Sequence, residues 1–276
     1  MLAQLFDGDF ATYFSQASQG NGLWLMAHIP KTAGSSLSTD LGKHLSPRYN
    51  ISLKQFDREL PHRQRFDAAV DTFLEKIATK RFPFASGHIS GDQVARICAA
   101  LPSARAFTML RDPIARYVSG YRYQRSPMHP ASEAFKLRYP DFETFAMKKV
   151  ANNKICFHLV PTKIFRSRDP EACIRYISEH YTFLGFQEDF ETSFAALGQL
   201  MGFEGRPSSR RRENTVTPET AVVVTPELRA VIEENNALDI TVYSFFREKY
   251  DRISVSLQSY LRPQDSVPVK LLQVAS

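Results

Sequence analysis

The chain has 276 residues, of which 43% are hydrophobic and 23% charged, with a formal net charge of +6 and a pI near 9.2. That length suits one α/β domain with insertions, and the apolar fraction lets burial drive folding without metals or disulfides. The basic balance favours anionic ligands, yet lysines and arginines are dispersed and no nucleic-acid-binding motif appears, so nucleic acid is not an expected partner. Cys98, Cys156 and Cys173 are odd in number and lack metal-ligand spacing, which predicts no metal and a reducing compartment. No stretch approaches the roughly eighteen apolar residues of a membrane span. Met1 to Phe14 is mixed and acidic, unlike a basic-then-apolar leader, so a soluble cytoplasmic protein is expected.

Residues 1–20 read as a helical lead-in. From 23 to 45 the pattern is strand, loop and helix: the apolar run Leu23–Ile29 passes into Pro-Lys-Thr-Ala-Gly-Ser-Ser. Free N–H groups at Ala33 to Ser36, backed by the positive end of a helix dipole, make an anion site. Lys31 adds a point charge, Thr32, Ser35 and Ser36 add hydroxyl donors, and Gly34 lets the backbone come close to a ligand. This is not a nucleoside-triphosphate loop of the usual spacing, because Lys31 precedes Gly34 and the first glycine is missing. A capped helix start with an incidental lysine would carry the same residues.

Between 50 and 82, Phe66, Val70, Phe73, Leu74 and Ile77 recur at helical spacing, the mark of a core-facing stripe. Strands follow near 83–87 and 105–110, each with a helix after it. The alternation predicts a central parallel sheet with helices on both faces and a phosphate-binding loop at the first strand's end. After the second of these strands comes Arg111-Asp-Pro. Asp112 is an expected N-cap and Pro113 an expected first helical residue. Arg111 stands at the strand's end, where α/β proteins place ligand contacts. Arg116 and Ser119 share one face of the following helix, and Tyr117 and Tyr121 another. Arg111 with Ser119 predicts a clamp for a second phosphate, so the ligand should carry two phosphate-like groups.

Residues 123–170 are different, loop-like at first and helical over Phe142–Val150. They are expected to shape the pocket of a second substrate without naming it. Residues 262–276, with Pro263 and Pro268, read as a loose extension of a single domain covering 1–276.

The pair Ile-Pro-Lys-Thr-Ala-Gly-Ser-Ser and Leu-Arg-Asp-Pro-Ile-Ala-Arg-Tyr-Val-Ser-Gly-Tyr resembles the two donor-binding motifs of sulfotransferases that use 3′-phosphoadenosine 5′-phosphosulfate (PAPS). The resemblance is nearest to the carbohydrate type, related to the heparan sulfate and uronyl 2-O-sulfotransferases. It implies a sulfotransferase or nucleotide-kinase-like fold. It also assigns Lys31, Thr32, Ala33, Gly34, Ser35 and Ser36 to the 5′-phosphosulfate, and Arg111 and Ser119 to the 3′-phosphate. Phe84-Ala-Ser-Gly-His resembles the family's strand ending in Gly-His, which makes His88 the implied base. Tyr181 to Phe190 resembles a late strand in which Glu188 is a structural acid. Arg210 to Thr215 resembles a segment covering the nucleotide, with Arg212 and Asn214 as its contacts; three adjacent arginines also suit a plain solvated loop. Of the other histidines, His28 packs beside the loop, while His44, His62, His129, His158 and His180 read as surface or helix residues.

The activity implied is in-line sulfuryl transfer to a hydroxyl on a carbohydrate or small alcohol, with His88 as base, Lys31 on the leaving oxygen and no metal. Animal members of this type are anchored in the secretory pathway, a departure from what this chain shows. Two alternatives stay open: a nucleotide-dependent kinase in which Asp112 binds magnesium, and a catalytically idle protein that retains nucleotide or glycan affinity.

Overall fold

A computed structural model describes residues 1–20, 22–53, 59–208 and 221–262. Five strands form one parallel sheet: β1 (Trp24–Ala27), β2 (Arg48–Ile51), β3 (Phe84–Gly87), β4 (Arg105–Leu110) and β5 (Tyr181–Phe186). Their order is β2-β3-β1-β4-β5. Every residue of β1, β3 and β5 is buried, as expected of a parallel sheet covered by helices on its faces. This confirms the α/β class and the strands expected in Leu23–Ile29 and near 83–87 and 105–110. β2 was not expected. It is an edge strand of four residues, three of them at least partly exposed, and its Arg-Tyr-Asn-Ile carries no apolar run.

The register decides what the sheet presents at its carboxyl end. Ala27 pairs with Gly87 and Met26 with Phe107, so the residues after β1, β3 and β4 emerge side by side. That edge, outside the carboxyl ends of the strands, is where α/β sheets bind ligands.

The helices form for the reasons their sequences suggest. The lead-in is two helices, Leu2–Phe6 and Phe10–Ser18, the second capped by Asp9, whose side chain accepts from Thr12 N at 3.3 Å. In helix His62–Thr79 the stripe Phe66, Val70 and Phe73 is buried, and Leu74 and Ile77 pack against the same core. Helix Ala237–Leu261 buries Leu238, Val242, Phe246, Tyr250, Ile253 and Leu257, a continuous i, i+3, i+4 seam.

A second aromatic cluster stands apart from the sheet core. Tyr117 and Tyr121, which share the face expected of them, meet Phe135, Tyr139, Phe142 and Phe145. Tyr117 lies 5.0 Å from Phe145 and Tyr121 5.1 Å from Phe142, centroid to centroid, within the range of favourable aromatic pairs. Region 123–170 is therefore helical throughout much of its length, with Ser132–Arg138, Phe142–Met147, Lys154–Leu159 and Thr162–Ser167. The helix expected over Phe142–Val150 stops at Met147, and Lys149 and Ala151 turn left-handed beyond it. The expected loose tail, apart from Arg262, lies outside the described residues.

Candidate active site

β1 hands the chain to the loop with its pairing intact, since His28 N donates to Gly87 O at 3.0 Å. The loop then turns through Lys31 and Ala33, whose φ values of 74° and 63° are left-handed. Each such turn costs a residue with a Cβ about 1–2 kcal/mol, so the surroundings must hold it. Thr32 does part of this: it is fully buried, and its hydroxyl donates to Ile29 O at 3.0 Å. In this arrangement its proton is held inside the loop.

Helix Gly34–His44 begins immediately after. Its N-cap is Ala33, which offers no capping side chain. Among the described residues, the N–H groups of Gly34, Ser35 and Ser36 have no acceptor in the chain. Three unsatisfied donors at the positive end of a helix are what an anion needs. Ser35 is exposed and Ser36 half-buried, so both hydroxyls face accessible space. Gly34 has a further reason besides the one its sequence suggested. A Cβ there would collide with the imidazole of His28 and the methyl of Met26, so glycine is required by the protein behind the loop.

Arg111, at the end of β4, donates through Nη1 to Lys31 O at 3.2 Å. The ammonium of Lys31 rests over the Tyr123 ring, 4.3 Å from its centroid, and burial together with the Arg111 charge pushes its pKa down. Ser119 is half-buried on helix Pro113–Arg125. Arg116 on that helix is 2% exposed and donates to Ala151 O at 3.1 Å, a structural role. Asp112 caps the helix as expected, accepting from Ala115 N at 2.7 Å, and Pro113 stands at its first turn. The N–H of Asp112 donates to Glu188 Oε1 at 2.8 Å, tying the ends of β4 and β5 together.

Three histidines converge beside the loop. His88 Nδ1 is 2.8 Å from His28 O. A carbonyl can only accept, so the Nδ1 carries the proton and Nε2 keeps its lone pair. His88 is exposed to solvent, yet the protein atoms around it pull its pKa below 6.5 against the opposing pull of the His28 carbonyl. The rings of His28 and His88 lie 3.9 Å apart. His28 is 8% exposed, and burial first, then its histidine neighbours, hold it well below the ordinary range. His158, expected on the surface or in a helix, stands on helix Lys154–Leu159 and is 4% exposed, with Nδ1 2.6 Å from Ile89 O, and burial pushes its pKa down to about 3.

The structure thus gathers Lys31, Thr32, Ala33, Gly34, Ser35, Ser36, His88 and Arg111 at one sheet edge, with Ser119 on the helix that follows Arg111. Arg212 and Asn214, with Arg210, Arg211 and Thr215, lie outside the described residues. Ser208, shortly before them, donates to buried Asp40 at 2.6 Å, which holds the chain there against the loop's own helix. Sequence reasoning missed His158 and Tyr123. Tyr123 stood in a stretch expected to be loop-like and lies instead on helix Pro113–Arg125. Among the described residues no group of His, Cys, Asp and Glu is placed to hold a metal, and no helix is long and apolar enough to cross a membrane.

A model described as the sulfotransferase family matches residues 24–246. The chain is also similar to a sulfotransferase from Alicyclobacillus acidocaldarius, at 15% identity over 88% of this chain and 99% of that one, with a TM-score of 0.43. A mouse sulfotransferase, SULT7A1, solved in complex with PAP, is similar at 14% identity over 90% of this chain and 92% of that one, with a TM-score of 0.42. No curated protein matches the chain.

Proposed function

The chain belongs to the sulfotransferase family, and from that premise we propose that it moves the sulfuryl group of PAPS to a hydroxyl of a carbohydrate or small alcohol. The observation that carries this reading is the Arg111 to Lys31 bond, which sets the second motif's cation against the first motif's loop. The residues fit a doubly anionic nucleotide. Uncapped N–H donors at Gly34, Ser35 and Ser36, with Lys31 beside them, suit the 5′ end. Arg111 and Ser119 suit the 3′-phosphate; Arg212 and Asn214, which the resemblance assigns to the nucleotide, lie outside the described residues.

When bound, the donor supplies an activated sulfuryl group. His88 accepts the proton of the acceptor hydroxyl at Nε2, its tautomer fixed by the His28 carbonyl. Lys31 and the loop amides hold the negative charge that develops at the 5′ end, a preorganised arrangement that needs no reorientation. Thr32 acts through the loop's shape. Asp112, committed to capping Ala115, is poorly free to hold magnesium, which weighs against the kinase alternative. We assign the whole chain to one transferase domain of the carbohydrate 2-O type, with 123–170 shaping the acceptor pocket.

Calorimetric titration with adenosine 3′,5′-bisphosphate, beside magnesium-ATP and adenosine 5′-phosphate, tests the reading. Tight binding of the bisphosphate alone, lost in Lys31→Ala, supports it. Preference for magnesium-ATP points to the kinase, and binding of the bisphosphate without transfer to any of a panel of hydroxyl acceptors points to an idle protein.

A further inference from the structure

A cavity of about 690 Å³ opens between the start of helix Lys154–Leu159 and the start of helix Ala237–Leu261. Its size falls in the range of small-molecule sites, about 300–1,000 Å³. Four charged side chains line it, Lys149, Lys154, Arg168 and Glu234, and none of its walls belongs to the anion loop.

The backbone around it is unusual. Six non-glycine residues among those described have left-handed φ; Lys31 and Ala33 are in the anion loop, and the other four, Lys149, Ala151, Asn153 and Arg168, all line this cavity. Such conformations persist where neighbours over-determine them, and they concentrate at binding sites. Asn153 N donates to Asn236 Oδ1 at 3.0 Å, Asn153 Nδ2 to Asn235 O at 2.9 Å, and Arg116 to Ala151 O at 3.1 Å.

The charges on the walls do not satisfy one another. Among the described residues no ion pair joins Glu234 to Lys149, Lys154 or Arg168. Lys154 is half-buried, and burial first, then the Arg116 charge, pushes its pKa down, so an anion beside it is favoured. The helix N-terminus at Lys154 is not the attraction, because buried Asp239 already accepts from Ile155 N and Cys156 N, each at 2.8 Å. The side-chain oxygen of Asn152 is buried with no partner among the described residues, and a buried acceptor left unpaired is costly.

The walls therefore call for negative charge at three cations and for a donor at two acceptors, the Glu234 carboxylate and the Asn152 oxygen. A bare anion brings no donor, and a neutral polyol brings no charge. A hydroxylated acid answers Asn152 but sets its charge against Glu234 with nothing to offset it. An ammonium group meets both acceptors, since it carries three N–H donors and the charge opposite to Glu234. Because the wall cations outnumber the one carboxylate, the ligand should still be negative as a whole, which two carboxylates with one ammonium provide.

We propose that this cavity binds an acidic α-amino acid of the glutamate class, at a site separate from the anion loop. The two carboxylates meet Lys149, Lys154 and Arg168, and the ammonium donates to Glu234 and Asn152. The site goes beyond the transfer reaction, depends on none of its steps and needs no nucleotide.

Titration of the full chain with L-glutamate, glutarate and L-glutamine, followed by saturation-transfer NMR, tests it. Glutarate lacks the ammonium and L-glutamine the second carboxylate, so each should bind at least about tenfold more weakly than L-glutamate. Glu234→Gln should bring L-glutamate down towards glutarate, and Lys149→Asn combined with Arg168→Asn should weaken L-glutamate about tenfold. All three positions are exposed, and asparagine tolerates the left-handed backbone at 149 and 168, so charge is removed without disturbing the fold. Lys31→Ala, which strips charge from the anion loop, should leave L-glutamate affinity as it is. No L-glutamate binding, glutarate or L-glutamine binding as tightly, unchanged affinity in either cavity variant, or loss of binding in Lys31→Ala would overturn the proposal. Failure of adenosine 3′,5′-bisphosphate to bind, seen separately by calorimetry, would count against the nucleotide reading alone.

Discussion

A guanidinium N–H of Arg111 donates to the main-chain carbonyl of Lys31 across 3.2 Å, joining residues 80 positions apart. The bond exists because β1 and β4 are neighbours in the sheet. It braces the left-handed turn at Lys31 while bringing two cations close enough that Arg111 depresses the lysine's pKa. Like charges held together in this way are relieved by a ligand of opposite sign, so the same contact that fixes the loop favours an anion in front of it.

Arg111→Ala should therefore lose both bracing and charge. Bisphosphate affinity should fall at least about tenfold, as for removal of a charge-assisted contact, and the preference over adenosine 5′-phosphate should shrink. Arg111→Lys should recover only part, since an ammonium lacks the planar fork. Calorimetry with the two nucleotides checks this; an unchanged preference would remove Arg111 from the 3′-phosphate.

His88→Ala should lower kcat by about 10²–10⁴ and leave bisphosphate affinity intact. A base works only when unprotonated, and the surroundings of His88 keep its pKa below 6.5. Turnover should hence be level at neutral pH and fall on the acid side, with its midpoint below 6.5. A pH–rate profile that retains this limb in His88→Ala would assign it to another group.

Gly34→Ala should act through His28. The added methyl meets the imidazole and Met26, an overpacking cost of about 1–3 kcal/mol, and a displaced His28 disturbs the ring of His88, whose centroid is 3.9 Å away. Denaturant titration should show the loss, and His28→Ala in the same chain should recover much of it. Additive losses would mean that the two positions are not in contact.

Acid should destabilise the fold through its histidines. His28, His88 and His158 all have folded pKa values depressed by burial. The unfolded chain takes up protons near 6.5 that the folded chain refuses, so stability is full above that pH and is lost as pH falls from there towards about 3, where His158 titrates in the fold. His158 alone contributes on the order of a few kcal/mol over that window. His158→Gln, which keeps a donor for Ile89 O, should flatten the dependence of Tm on pH between 6.5 and 3.

Much of the fold was legible because the signals were local. Asp112 and Pro113 announced a helix start, and Phe66, Val70 and Phe73 announced a buried face. β2 was illegible since an edge strand of four mostly polar residues has no pattern to read. His158 lies in a helix, as one of its two readings had it, yet its burial was not legible, and the partner of its Nδ1, Ile89 O, is far away in sequence. Thr32 and Gly34 were placed in the loop correctly, yet their partners, Ile29 O and the His28 ring, face inward.

What the sequence determined by itself is the anion loop's chemistry, the α/β alternation and the capped helix after Arg111, all consequences of residues within one or two turns of each other. The tertiary structure decided which strand ends become neighbours, and so put His88, Arg111 and Lys31 at one edge. It also formed the cavity between the starts of helices Lys154–Leu159 and Ala237–Leu261, whose walls come from segments more than sixty residues apart. Sheet order and long-range packing follow from how whole faces bury one another, and no short stretch of sequence encodes that.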